Sequence, residues 1–107
     1  MGANNYLWVP GDRGGEYVVA FRWGCVRELE YRVGDNVDWR HRDRPKIADG
    51  IVRVGGFSRG DTVDGIYQGD EFYSITINTD VVCGFKRVSE PEYDSLVQQI
   101  EAHDGGL

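Results

Sequence analysis

Cysteine, proline and long hydrophobic runs are all scarce in this sequence of 107 residues. Small secreted domains that depend on disulfides usually carry several bridges, so a chain with two cysteines is more consistent with reduced thiols. We expect Cys25 and Cys83 to be free thiols on strands. No apolar run approaches the roughly 20 residues that span a bilayer, and the first residues lack the basic start and apolar core of a signal peptide. These absences predict a cytoplasmic protein without a membrane partner.

Metal-ligand spacing is lacking as well. The four side chains best suited to zinc are scattered without a CxxC or CxH pattern: Cys25, His41, Cys83 and His103. Zinc sites in proteins use closely spaced pairs of ligands. No segment of the sequence has a pattern typical of an organic cofactor site. We therefore expect neither a metal nor a cofactor.

Lysine and arginine are rare in the second half of the chain. Residues 60–107 contain two Lys or Arg and ten Asp or Glu, whereas residues 1–59 contain ten and eight, so the net charge of −6 comes from the second half. Binding to a nucleic-acid backbone needs clustered cations, so the balance argues against a nucleic-acid partner. It suits solubility, or attraction to a basic protein.

Glycine and alternating apolar residues are what the sequence has in abundance. Fifteen glycines against three prolines are typical of many tight turns. Alternation predicts strands, in chain order, at Tyr6–Val9, Glu16–Trp23, Leu29–Trp39, Asp49–Val54, weakly at Val63–Tyr67, and at Glu71–Asn78 and Val81–Val88. The first two form an amino-terminal hairpin, and Thr79-Asp80 is the predicted turn of the last. Leu29–Trp39 is either one strand bent at Gly34-Asp35 or two short strands separated there.

The phrase "VGDNVDW", Val33 to Trp39, followed by "DGIVRV", resembles the opening of small SH3-like barrels. The resemblance implies a mainly β fold, a small SH3-like β-barrel, and no particular activity. The single domain then divides into the hairpin over residues 1–28, the barrel over 29–88 and a carboxy-terminal helix over 89–103.

A longer segment, "FRWGCVRELEYRVGDNVDW" from Phe21 to Trp39, resembles a segment of small uncharacterised bacterial proteins, some of which carry CPxCG zinc-ribbon knuckles. Where such knuckles would stand, this chain has "VPGDRGG" and "VGGFSRGD", with the turns but without the cysteines. The resemblance therefore implies a shared β framework and no zinc.

The stretch "SEPEYDSLVQQIEAH" switches to helical periodicity. Ser89 is suited to cap the helix, Glu92 stands at the capping-box position and Pro91 lies in the first turn. An apolar stripe recurs at i, i+3, i+4 and i+7: Tyr93, Leu96, Val97 and Ile100. We expect a helix from about Glu90 to His103 that packs this stripe on the barrel or over one open end.

Two groups of residues carry candidate chemistry beside a structural interpretation. In "DWRHRDRP", His41 next to Asp43 has the composition of a general base, with arginines to hold an anion, whereas alternation indicates a solvated loop after Trp39. The three tryptophans, Trp8, Trp23 and Trp39, suit a stacking platform or, by default, a small core.

The acidic segment from Gly60 to Phe85 has no lysine or arginine. Its candidate binding residues combine carboxylates with an aromatic anchor: Asp61, Asp64, Tyr67, Asp70 and Glu71. Such a mixture is typical of interfaces, although an ordinary acidic face has the same composition. We expect a small acidic binding protein without enzymatic activity, such as an immunity protein or inhibitor that masks a basic partner. The alternative is a small-molecule-binding barrel or minor enzyme that uses the Trp39 to Arg44 region.

Overall fold

A computed structural model describes residues 4–10, 15–40, 50–60, 62–67 and 69–103, and at 62, 63, 67 and 101–103 the backbone only. Within these residues, eight strands are followed by one helix: β1 (Asn5–Pro10), β2 (Glu16–Phe21), β3 (Glu30–Tyr31), β4 (Ile51–Ser58), β5 (Thr62–Val63), β6 (Ile66–Tyr67), β7 (Glu71–Asn78), β8 (Val81–Val88) and α1 (Glu90–His103).

The main sheet has six strands in the order β3-β1-β2-β4-β7-β8 and curls into a half-barrel. All its pairings are antiparallel except that of β3 with β1. The predicted fold class is confirmed: the chain is mainly β, with an amino-terminal hairpin, a barrel-like sheet and one carboxy-terminal helix. β7, β8 and α1 have the predicted bounds, whereas the weakly predicted strand near Val63 is the separate two-stranded hairpin of β5 and β6.

The curl is completed at one end by the segment that follows β3. Asp35 accepts a hydrogen bond from the Arg32 amide, Oδ2 to N at 2.7 Å, and so makes a tight turn with Gly34 at a φ of 101°. Beyond this turn the chain meets β8: the Gly34 amide donates to the Val82 carbonyl at 2.7 Å, and the Val82 amide donates to the Asp35 carbonyl at 2.9 Å. The predicted Gly-Asp bend is therefore the point at which the sheet is joined across its two edges.

This turn also corrects one residue of the predicted alternation. Val33 is 49% exposed because the turn begins there, whereas its predicted partners Tyr31, Val37 and Trp39 are buried as expected. Asn36 forms an isolated bridge with Val81, so the expected second strand at Val37–Trp39 is absent from the described structure.

Alternate residues of the long strands fill the inside of the sheet. Leu7, Val9, Val19, Ile75 and Val82 are each 0% exposed. Gly56 leaves room for this packing, since a Cβ atom there would lie 2.7 Å from the Val19 side chain. Period-two burial of this kind stabilises the sheet mainly through the apolar area that it removes from water.

The helix packs on the outer face of β4 and β7. Tyr93 lies over Gly55, where an added Cβ would be 3.1 Å from its ring, and its ring contacts Phe72 at a centroid distance of 5.0 Å. Leu96 and Ile100 of the predicted stripe are buried. The predicted cap is confirmed, because the Glu92 amide donates to the Ser89 hydroxyl at 3.3 Å. Of the two predicted positions, the helix takes the one against the sheet wall.

A buried asparagine organises the loop between β2 and β3. Asn5 is 0% exposed, and its amide nitrogen donates to the carbonyls of Trp23 and Cys25 at 2.9 and 3.1 Å. Its oxygen accepts from the Arg27 and Leu29 amides at 3.2 and 3.1 Å. Cys25 therefore lies in this loop and not on the expected strand, and both cysteines are free.

Candidate functional site

The excursion between β4 and β7, residues 59–70, is here named the acidic hairpin. Its strands β5 and β6 pair Val63 with Ile66 around Asp64 and Gly65, whose φ angles of 52° and 77° are both positive. Positive φ at both central residues is the geometry of a tight type I′ hairpin turn, and Asp-Gly is among its favoured sequences. Beside this turn Ile66 is 66% exposed, more than the other large hydrophobic residues in the described chain.

The base of the acidic hairpin is closed by two glycines. A Cβ atom at Gly60 would lie 1.9 Å from the Gly69 carbonyl oxygen, so only glycine permits this approach. The Gly60 amide also donates to the Asp70 side chain at 3.2 Å. The hairpin is thus held at its base by backbone contact and by one carboxylate.

The structure brings part of the predicted binding set together. Asp64 is exposed at the turn, Tyr67 lies on β6 with only its backbone described, and Asp70 lies at the base. Asp61 lies outside the described residues. Glu71 differs from the others because it begins β7 and belongs to the end of the barrel.

We name that end the tyrosine end, for a chain of side-chain contacts that crosses it. The hydroxyl groups of Tyr17 and Tyr73 are 2.7 Å apart, and the Tyr73 hydroxyl donates to Glu71 Oε2 at 2.7 Å. The other carboxylate oxygen of Glu71 lies 3.5 Å from Arg87 Nη1. The charge of Glu71 is therefore matched locally.

Burial raises the pKa of the Tyr73 phenol above its ordinary value, and the hydrogen bonds to Glu71 and Tyr17 raise it further. The ring is 3% exposed and packs against Phe85 at a centroid distance of 6.2 Å. The phenol is thus held neutral and acts as a hydrogen-bond donor to Glu71.

Sequence reasoning missed Tyr17 and Arg87 as members of this network. Strand parity does place each on the inner face, since Tyr17 pairs with Val9 and Arg87 with Tyr73. The signal that is missing from the sequence is the curl of the sheet, which brings β2 opposite β7 although β4 lies between them.

The opposite end, here named the tryptophan end, is built around two indoles. Trp23 and Trp39 pack edge to face with centroids 5.3 Å apart, and both are almost fully buried. Trp39 Nε1 donates to Asp80 Oδ1 at 2.9 Å. Trp23 Nε1 is buried without a hydrogen-bond partner in the part of the chain that the structure describes.

The turn at this end is strained. Thr79 and Asp80 have φ angles of 48° and 68°, which confirms the predicted hairpin turn. A β-branched residue with positive φ is a true outlier among L-residues. The Thr79 amide nevertheless donates to the Gly50 carbonyl at 2.7 Å, and the Asp80 carbonyl accepts from the Val37 amide at 2.7 Å, so the turn is held by neighbouring segments.

The third tryptophan lies apart, on the outer face of β1. Trp8 Nε1 donates to Glu30 Oε1 at 2.7 Å, and the Arg32 guanidinium stands 5.8 Å from the ring centroid. Arg32 also makes a two-fold contact with Glu16, at 2.9 and 3.2 Å, and this hydrogen bonding lowers the pKa of the Glu16 carboxyl. A single platform of three indoles is therefore wrong, because two of them are core and one is surface.

His41, Arg42, Asp43 and Arg44 lie outside the described residues, so neither the candidate general base nor the solvated-loop interpretation is tested. Arg40 is described: it is exposed, and its Nε lies 3.3 Å from Asp38 Oδ2. No group of three His, Cys, Asp or Glu side chains with metal-binding geometry occurs within the described ranges. In the same ranges no helix combines the length and the apolar character needed to cross a membrane.

Comparison with known proteins found no family model that matches the chain, and no curated protein or solved structure matches it either.

Proposed function

We propose that the protein is a non-enzymatic binding domain whose acidic hairpin engages a basic partner protein. The observation that carries this proposal is Ile66, which is 66% exposed beside the Asp64 turn in a segment, Gly60 to Phe85, without lysine or arginine. An immunity protein or inhibitor that masks a basic partner is its concrete form.

An exposed branched residue at the tip of a tight hairpin is suited to serve as an anchor. Burying an isoleucine against a partner removes apolar area from water and contributes about 1.5–3 kcal/mol when burial is complete. The turn restricts the tip before binding, so little conformational entropy is lost there on association. Ile66 therefore supplies affinity, and Tyr67 on the same strand stays the predicted aromatic anchor.

The carboxylates act at longer range. Asp64 is exposed at the turn, and Asp61 and Asp70 flank it in sequence. Opposite charge on a partner speeds the encounter and is screened beyond about 10 Å at 0.1 M salt. Glu71 contributes less to direct contacts with a partner, because its carboxylate already binds Tyr73 and Arg87.

The test begins with co-purification of the partner from the native host and continues with binding kinetics of three variants. Asp64→Asn keeps the positive φ, which asparagine tolerates, and should slow association at low salt but not at high salt. Ile66→Ser should raise the dissociation rate by roughly tenfold to thirtyfold, the effect of an anchor worth about 2 kcal/mol.

Asp94→Asn is the matched control, since it removes one exposed negative charge from α1 and leaves the acidic hairpin unchanged. Equal binding by Asp64→Asn, Ile66→Ser and this control would mean that the hairpin is a solubility feature. The interface would then have to be sought on the arginine-rich segment from Arg40 to Lys46.

A second proposal is a small-molecule-binding barrel or minor enzyme that uses the Trp39 to Arg44 region. It is supported by the unpaired Trp23 indole nitrogen, within the described residues, and by the strained Thr79 turn, because strain and unpaired polar groups concentrate at functional sites. Titration with inorganic phosphate, followed by tryptophan fluorescence, tests it: a saturable change that Trp39→Phe abolishes and Trp8→Phe preserves would support this site. A fluorescence change that is linear in phosphate concentration, or no change, would contradict the second proposal.

A further inference from the structure

The outer edge of β8 is open along most of its length in the described chain. Its first residues are covered, because Val82 exchanges backbone hydrogen bonds with Gly34 and Asp35. The register then shifts, with Thr76 opposite Gly84 but Ile77 opposite Val82, so Cys83 is the extra residue of a bulge. From Gly84 to Val88, β8 is the last strand of the sheet order, and no described segment pairs with that side.

A five-residue free edge is long enough to receive another strand. At about 3.3 Å per residue it spans roughly 17 Å of unpaired alternate N–H and C=O groups. The other edge of the sheet, β3, has only two residues and is protected by its shortness. The bulge marks the place where the covered part of β8 ends and the free part begins.

The two faces of this edge differ in chemistry. Phe85 lies on the inner face and is only partly buried against the hydrophobic core, so part of its surface stays accessible. Lys86 lies on the outer face, opposite Ser74, and is exposed. Lys86 and Arg87 are the only cations in residues 60–107, and Arg87 is already beside Glu71.

We propose that this edge binds an extended segment of a partner protein in which apolar and acidic residues alternate. Strand addition places every second residue of the segment on each face. An apolar residue then covers Phe85 while the adjacent acidic residue meets Lys86. A second copy of this chain is the weaker occupant, because it would bring the same two cations to the new strand, and edge cations act against such self-pairing. This site is separate from the acidic hairpin and does not depend on its function.

The test uses the full chain labelled with ¹⁵N and two short capped peptides, one alternating valine and glutamate and one alternating valine and lysine. The glutamate peptide should shift the amide signals of Gly84–Val88 and slow the hydrogen exchange of those amides that point away from β7. Its affinity should be about tenfold above that of the lysine peptide. Lys86→Glu should invert the preference. Arg53→Glu, a charge reversal at an exposed residue on β4, should leave it unchanged.

Four results would overturn the proposal. Slow exchange, before peptide is added, of the Gly84–Val88 amides that point away from β7 would show that another part of the chain covers the edge. Spectral changes with protein concentration alone would assign the edge to a second copy. Binding that does not change with Lys86→Glu, or no response to either peptide, would leave the edge without a role in recognition.

Discussion

The two ends of the barrel share one type of contact, a hydrogen bond from a buried aromatic side chain to a carboxylate, but they differ in what surrounds it. At the tryptophan end Trp39 donates to Asp80, and at the tyrosine end Tyr73 donates to Glu71, each from a buried ring to a carboxylate. The tryptophan end is also crossed by backbone hydrogen bonds from three distant segments, whereas the contacts described across the tyrosine end are made by side chains. The acidic hairpin leaves the sheet at the tyrosine end.

This difference suggests a division of labour within one small sheet. Main-chain closure fixes the tryptophan end, because backbone hydrogen bonds restrain several residues at once. At the tyrosine end the sheet is crossed by the side-chain contacts among Tyr17, Tyr73 and Glu71. Four substitutions test whether the two ends differ in this way.

Asn5→Ala should have the largest effect. It leaves two carbonyls and two amides of the loop at the tryptophan end without their partners, and unsatisfied buried groups are costly. We expect a loss of about 3 kcal/mol or more in the free energy of unfolding, measured by urea denaturation. Asn36→Ala, at an exposed residue, is the control. If Asn5→Ala lowered the free energy of unfolding no more than Asn36→Ala does, the loop would be held mainly by other contacts.

Trp39→Phe should come next. It removes the bond to Asp80 and part of a buried ring, at an expected cost of about 2 kcal/mol. Trp8→Phe is an unusually close control, since Trp8 also donates to a carboxylate, that of Glu30, but on an exposed face. We expect it to cost less than about 1 kcal/mol in the same denaturation experiment. A larger loss at Trp8 than at Trp39 would contradict the greater stabilisation that we assign to the buried bond of the tryptophan end.

Tyr73→Phe tests the tyrosine end through pH. At neutral pH the lost hydrogen bonds should cost about 1 kcal/mol. Because folding raises the pKa of the Tyr73 phenol, its contribution is complete below about pH 10 and is lost as the pH rises above that value.

The slope of stability against pH above pH 10 should therefore be steeper in the wild-type protein than in Tyr73→Phe, by up to about 1.4 kcal/mol per pH unit. Some slope stays in the variant, since burial also raises the pKa of Tyr31 and Tyr93. Urea titrations at stepped pH measure it, and Tyr17→Phe, which loses one hydrogen bond of the network, is the comparison. Parallel curves for wild type and Tyr73→Phe would show that the phenol ionises freely in the folded state.

Thr79→Asn should have the smallest effect, and a stabilising one. Asparagine adopts positive φ more easily than a β-branched residue, so relief of strain should raise stability by about 0.5–1 kcal/mol. A thermal melt of the variant beside the wild type measures it. A lower melting temperature would indicate that the threonine hydroxyl, which contacts Asn78 at 3.0 Å, contributes more than the strain costs.

The sequence was sufficient for the elements whose cause is local. β7, β8, their turn and α1 follow from alternation, turn residues and a capping serine, and each has the expected bounds. It was insufficient where the cause is tertiary. Val33 fits the alternation but lies in the turn that is closed by the hydrogen bond from the Arg32 amide to the Asp35 side chain, and it is therefore exposed. Tyr17 contacts Tyr73 only because the sheet curls. Tertiary structure also separates Glu71 from Asp64. The predicted binding residues are close in sequence, but Asp64 lies on the acidic hairpin and Glu71 on β7.

The junction between the Gly34–Val37 segment and β8 has a consequence for how the chain reaches its fold. Asn36 and Val81 are bridged across 45 positions of sequence, the difference of their numbers, and the contact cannot form until both flanking regions are in place. Such distant pairings slow folding, because loop entropy is lost before the contact is gained. The β7–β8 hairpin and α1 are local and can form early, whereas the joining of the two edges belongs late on the pathway. Substitutions at Asp35 should therefore speed unfolding more than they slow folding.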